Sequence, residues 1–124
     1  MNANKLFNLT NLDEMLGGDR QAMLQMVKIF LQATPESLTE LNNCFEKNDL
    51  EGISKLAHKL KSSIDIFSIV DIKNDIRRME NLARENVSTE EIPDLMEKIN
   101  KILNEAIEQV RVEKDVLQKE LYAI

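Results

Sequence analysis

The chain has 124 residues, with 16 Lys+Arg against 22 Asp+Glu and a formal net charge of −6; this leaves room for one domain and argues against general affinity for nucleic acid or anionic lipid. A single cysteine, Cys44, excludes an internal disulfide, and a single histidine, His58, excludes every two-histidine metal motif. Three glycines and two prolines are few for the turns of a multi-stranded sheet, and the Leu, Ile, Glu, Lys and Met content favours helix.

Residues 1–10 are polar and read as loosely held. A helical turn is expected at Leu12 to Leu16, closed by Gly17-Gly18, a pair that tolerates the left-handed conformation. Asp19 reads as the N-cap of a long amphipathic segment carrying Met23, Leu24, Val27, Phe30, Leu31, Leu38, Leu41, Cys44 and Phe45 at helical spacing. Pro35 falls inside it, where a proline costs about 3 kcal/mol; the spacing predicts either a kinked helix or two helices meeting there. Asn48 closes this segment and Asp49 caps the next. That third segment, Leu50 to about Phe67, turns Ile53, Leu56, Ala57, Leu60, Ile64 and Phe67 inward, with Gly52 in its first turn, where the cost is small. After a break near Ser68 to Asp71, a fourth segment buries Ile72, Ile76, Met79, Leu82 and Ala83. The last helix starts between 89 and 93, with Ser88 and Glu91 as one possible capping box and Pro93 as a first-turn residue. Its stripe runs from Leu95 to Val110 and thins after about 112. The sum is an all-α chain: an antiparallel four-helix bundle with a short extra N-terminal helix. It forms one domain over 1–124, with a core at about 6–110 and a helical extension at about 111–124.

The chemistry is narrow. Gly17, Gly18 and Gly52 are the only glycines, so no phosphate-binding loop exists, and neither a nucleophile elbow nor a zinc-protease motif is present. Any reaction must borrow groups from a partner. On a helical wheel His58 lies roughly 160° from Leu60, almost opposite the buried stripe. Ser54 and Lys55 precede it by one turn, Lys61 and Ser62 follow by one, and Asp65 lies beyond. Lys55, Lys59 and Lys61 surround the imidazole with no acid between Gly52 and Ile64, a local positive patch that attracts an anion. Small Ser54 and Ser62 let another surface approach. Against this, an isolated surface histidine is usually without function and a charge cluster is usually a solvated face. Cys44 and most of the six methionines read as core filling.

The string Leu56-Ala57-His58-Lys59-Leu60-Lys61-Ser62-Ser63 resembles the signature of histidine-containing phosphotransfer (HPt) domains of multistep phosphorelays, approximately A-H-x-L-K-G-S. Gly18-Asp19, Phe30-Leu31, Thr34-Pro35-Glu36, Asn48-Asp49 and Met79-Glu80-Asn81-Leu82-Ala83-Arg84 follow the family's spacing, so that the resemblance covers roughly residues 6 to 110. It implies that His58 accepts a phosphoryl group on Nε2 from a receiver-domain phospho-aspartate and passes it to the aspartate of a response regulator. Lys61 would steady the phosphoryl oxygens from a side chain facing water, and Ser62 would be the small residue beside them. Ser62 and Ser68 stand where the family usually has Gly, which bears on transfer rate and partner preference. Ser54, Lys55, Lys59, Asp65 and Arg84 are the candidate partner contacts. No metal or cofactor of its own is expected, Mg²⁺ being supplied by the receiver domains of a hybrid sensor kinase and of response regulators. The expected protein is a monomeric carrier without kinase or ATPase activity, binding neither nucleic acid nor membrane. The absence of a signal-peptide core or long apolar run points to the cytoplasm, and Met1 with its polar neighbours favours a free-standing protein. The rival readings are a module of the same fold that sequesters a receiver domain without being phosphorylated, and a plain helical scaffold.

Overall fold

The computed structural model describes residues 4–86 and 90–122. Among them are five α-helices and no strand: α1 (Thr10–Met15), α2 (Arg20–Glu46), α3 (Leu50–Ile66), α4 (Lys73–Glu85) and α5 (Ile92–Tyr122), with a single 3₁₀ turn at Val70–Ile72 ahead of α4. The four longer helices close a ring in which α2 packs on α3 and α5, and α4 packs on the same two. Side-chain pairs give their directions. Arg20 meets Glu120 while Asn42 meets Asn100, so α2 and α5 run antiparallel; His58 and Lys61 meet Glu80 while Asp65 meets Arg77, so α3 and α4 do too.

Local chemistry accounts for the helix ends. Asp19 accepts from the Ala22 amide at 3.0 Å and Asp49 from the Gly52 amide at 3.0 Å, satisfying donors that a helix start leaves free. Gly17 and Gly18 adopt φ +62° and +78°, and the Gly18 amide returns to the Asp13 carbonyl. At the end of α3, Ser68 is left-handed with φ +52°. Its amide bonds Asp65 and that of Ile69 bonds Ile64, a Schellman closure that tucks Ile69 into the core. Asn48 does the same for α2, so two helices of fixed length meet at Asp49.

Five expectations need correcting or resolving. Pro35 does not divide α2, which is one helix from Arg20 to Glu46. Phe30, Leu38 and Leu41 are buried on either side of it, each contributing about 1.5–3 kcal/mol, and together they exceed the cost of one proline. Gly52 is more than a cheap first-turn residue: a Cβ there would stand 2.6 Å from Cys44 Sγ and 2.6 Å from an Asp49 carboxylate oxygen, so a side chain would have to displace the thiol and the capping carboxylate. The N-terminal segment is not loose over its described part. Leu6 and Phe7 are buried, the Leu6 amide donates to Gln109 Oε1 at 2.7 Å, Gln109 Nε2 donates to the Asn4 carbonyl at 2.7 Å, and the Asn8 amide donates to the Phe67 carbonyl. The surface beneath it is the far part of α5, where Leu117 is 1% exposed. Hence the stripe that thins after 112 still belongs to the packed body. The last helix begins at Ile92, inside the expected window. Ser88 lies outside the described residues, and Glu91 binds Arg78 rather than a cap.

Candidate functional site

Asp49 and the Schellman closure hold α3 at both ends, and Ala57, Leu60 and Ile64 seat it on the core. His58 is thereby turned outward, with its side chain 69% exposed. One ring nitrogen is engaged: Nδ1 lies 2.7 Å from Glu80 Oε2 on α4. Lys61, one turn on, donates to the other oxygen of the same carboxylate at 2.9 Å, and Arg84 Nη1 stands 3.8 Å away. Glu80 itself is 8% exposed. Burial pushes its carboxyl up, but hydrogen bonds from Lys61 and His58, with the Lys61 charge, outweigh that and leave it below the ordinary carboxylate value.

An ionised Glu80 can only accept, so in the neutral imidazole Nδ1 carries the proton and the lone pair sits on Nε2. The arrangement is that of a second group fixing the tautomer of a histidine whose other nitrogen does the chemistry. Lys61 and Arg84 add cations beside it. Among the described residues no group of three or more His, Cys, Asp or Glu side chains could hold a metal ion.

The other expected site residues divide into free and engaged. Lys59 and Ser62 are exposed and Ser54 is half-buried. Lys55 is exposed but pairs with Glu51 at 3.1 Å. Asp65 binds Arg77 at 2.5 Å across the α3–α4 seam, while its buried Oδ1 has no partner among the described residues. Two expectations change. Lys61 does not simply face water: its side chain is 27% exposed and tied to Glu80. Nor is the lysine cluster unopposed, since two of its three members hold a carboxylate, one of them from a helix that a reading along α3 alone does not reach.

Glu80 is the residue of the candidate site to which the sequence reading gave no role. A signal for it exists: Ile76, Met79 and Ala83 form the inward stripe of α4, and Glu80 lies one turn after Ile76 on that stripe. A carboxylate on a buried face demands a cationic or N–H partner. Cys44 packs against the core as expected, and burial first, with Asp49 next, raises its thiol above the ordinary value.

A family model described as Hpt domain matches residues 25–113, the span that holds most of α2, all of α3 and α4, and α5 as far as Glu113. No curated protein and no solved structure matches the chain.

Proposed function

Since the chain belongs to the Hpt domain family, whose members serve histidine phosphotransfer in two-component signalling, we propose that it is a phosphorelay intermediate with His58 as the phosphoryl carrier. The single observation that carries the residue assignment is the Glu80 contact to Nδ1, which leaves the lone pair on an exposed Nε2. In the step, Nε2 attacks phosphorus in line, a P–Nε2 bond forms, and the acyl phosphate P–O bond breaks as the partner's aspartate departs as a carboxylate. The Nδ1 proton stays in place, and the ionised Glu80 faces the positive charge that the phosphorylated ring acquires. Transfer to the second aspartate is the same step reversed. Lys61 carries a compact charge within one turn of the ring and meets the phosphoryl oxygens as a point charge.

The remaining assignments belong to the same reading. Ser62 is the small residue beside the phosphoryl group. Ser54, Lys55, Lys59, Asp65 and Arg84 lie around the docking face, Asp65 acting through its hold on Arg77. The four long helices form an antiparallel bundle that presents His58 on an open face, Mg²⁺ comes with the receiver domain, and the carrier works as a monomer in the cytoplasm.

Incubation with phosphorylated receiver domains tests this. Label should move to the chain in an acid-labile, base-stable linkage, and His58→Gln should abolish it. Binding to a receiver domain without any transfer would replace the relay reading with a sequestering module, and absence of binding as well would leave a helical scaffold.

A further inference from the structure

A carrier must give its phosphoryl group away as well as accept it, and the surroundings of Glu80 change between the two steps. We propose that Glu80 is a positioning residue for the discharge: it keeps the proton on Nδ1 after the phosphoryl group has arrived, so that His58 departs as a neutral imidazole throughout the neutral and mildly alkaline range. The inference rests on His58 as the phosphoryl carrier and on no particular receiver.

The leaving group sets the requirement. When the P–Nε2 bond breaks, its electron pair returns to Nε2 while an oxygen of the acceptor bonds phosphorus. A ring that still holds Nδ1–H departs as neutral imidazole. A ring that has lost that proton departs as imidazolate, a far stronger base and a far poorer leaving group. Imidazole changes charge close to neutral pH, so a phosphorylated ring left to water becomes a slow donor as pH rises.

Glu80 Oε2 stands 2.7 Å from Nδ1, and its carboxylate is buried, so water competes little for the proton. The charges on both helices that face the ring decide whether it stays. On α3, Lys61 donates to Glu80 Oε1 at 2.9 Å, Lys55 is held by Glu51 and Lys59 is exposed. On α4, Arg84 Nη1 lies 3.8 Å from Oε2 and Arg77 is held by Asp65. In the free chain Lys61 and Arg84 together outweigh the single charge of Glu80. A phosphoryl group on Nε2 draws both cations to its own oxygens, and the two then face about three negative charges, those of the phosphoryl group and of Glu80. The proton retained on Nδ1 supplies the missing positive charge, and with Lys61 turned to the phosphoryl oxygens the ring becomes the main partner of Glu80.

The test uses the full chain and no partner protein. Potassium phosphoramidate loads His58 directly: Nε2 bonds phosphorus, the P–N bond of the reagent breaks and ammonia leaves. From about pH 6 to about pH 8.5 the ring nitrogen resonances should keep the signature of a protonated Nδ1, and hydrolysis followed by phosphorus NMR should stay level. The same phosphorylated chain unfolded in urea should lose that signature within this range and slow by about tenfold or more. Folded Glu80→Gln should do the same, because its amide accepts from Nδ1–H but carries no charge. Lys61→Ala, which leaves Glu80 beside Nδ1, should change the rate and keep the profile level. A wild-type profile that falls as the unfolded chain's does, or a level one in Glu80→Gln, would overturn the inference and leave the relay standing. A level wild-type profile without transfer to any receiver would keep the retained proton and remove the relay. A chain that phosphoramidate cannot load at His58 would overturn the free Nε2 from which the inference starts.

Discussion

Glu80 holds three cationic or N–H partners on one buried carboxylate, and that makes the neighbourhood of His58 sensitive to acid. The Glu80 carboxyl lies below its ordinary value in the folded chain. Its contribution to stability is therefore complete above the carboxylate range and is lost as pH falls through the folded value. Glu80→Gln should cost about 1–3 kcal/mol near neutral pH, and the difference from wild type should shrink as denaturation is repeated from about pH 7 to about pH 3. A difference that stays constant would mean that the charge of Glu80 is not what the fold uses. At this scale the sequence makes His58 and Lys61 legible, because they lie three positions apart on one helix. Glu80 lies 22 positions from His58, and nothing local brings the two together. Lys61 shows the same divide: its place one turn after His58 follows from the helix, while its half-buried ion pair follows from α4.

Helix ends are where local chemistry and backbone geometry meet. Asp19 and Asp49 are readable as caps because a carboxylate before an apolar run bonds the free amides wherever the helix ends up. Ser68 is a different case. Its φ of +52° costs an L-residue about 1–2 kcal/mol, part of which a glycine recovers in exchange for greater freedom when unfolded. Ser68→Gly should raise stability by about 0.5–1 kcal/mol, read as a higher urea midpoint with an unchanged slope. A fall in the midpoint would show that the Ser68 side chain holds the turn. Helix continuity through Pro35 was not decidable from the sequence. Local propensity favours a break there, and burial of Phe30, Leu38 and Leu41 against other helices overrides it. The last helix also stays packed further than its own stripe suggests, since Glu113 and Lys114 interrupt the stripe while Leu117 is buried beyond them.

For the whole molecule, the two ends of the chain support each other. Gln109 holds the backbone of the N-terminal segment at two points, Arg20 pairs with Glu120, and Leu117 lies under the same region as Lys5, Leu9 and Met23. Leu117→Ala should destabilise by about 2–5 kcal/mol, as for a core position. A loss below about 0.5 kcal/mol, as at a surface site, would show that the last turns of α5 are an appendage. The overall charge of −6 reaches the neighbourhood of His58 too, where Lys55 and Lys61 are set against Glu51 and Glu80. By itself the sequence determined the helical class, the caps, the outward direction of His58 and the neighbours one turn away, all of which follow from 3.6-residue periodicity and short-range hydrogen bonding. Only the tertiary structure decided which carboxylate meets the imidazole, whether α2 survives its proline, how far α5 remains packed and where the N-terminal segment lies. Those depend on contacts between distant positions, whose free energy is set by how whole helix faces fit together.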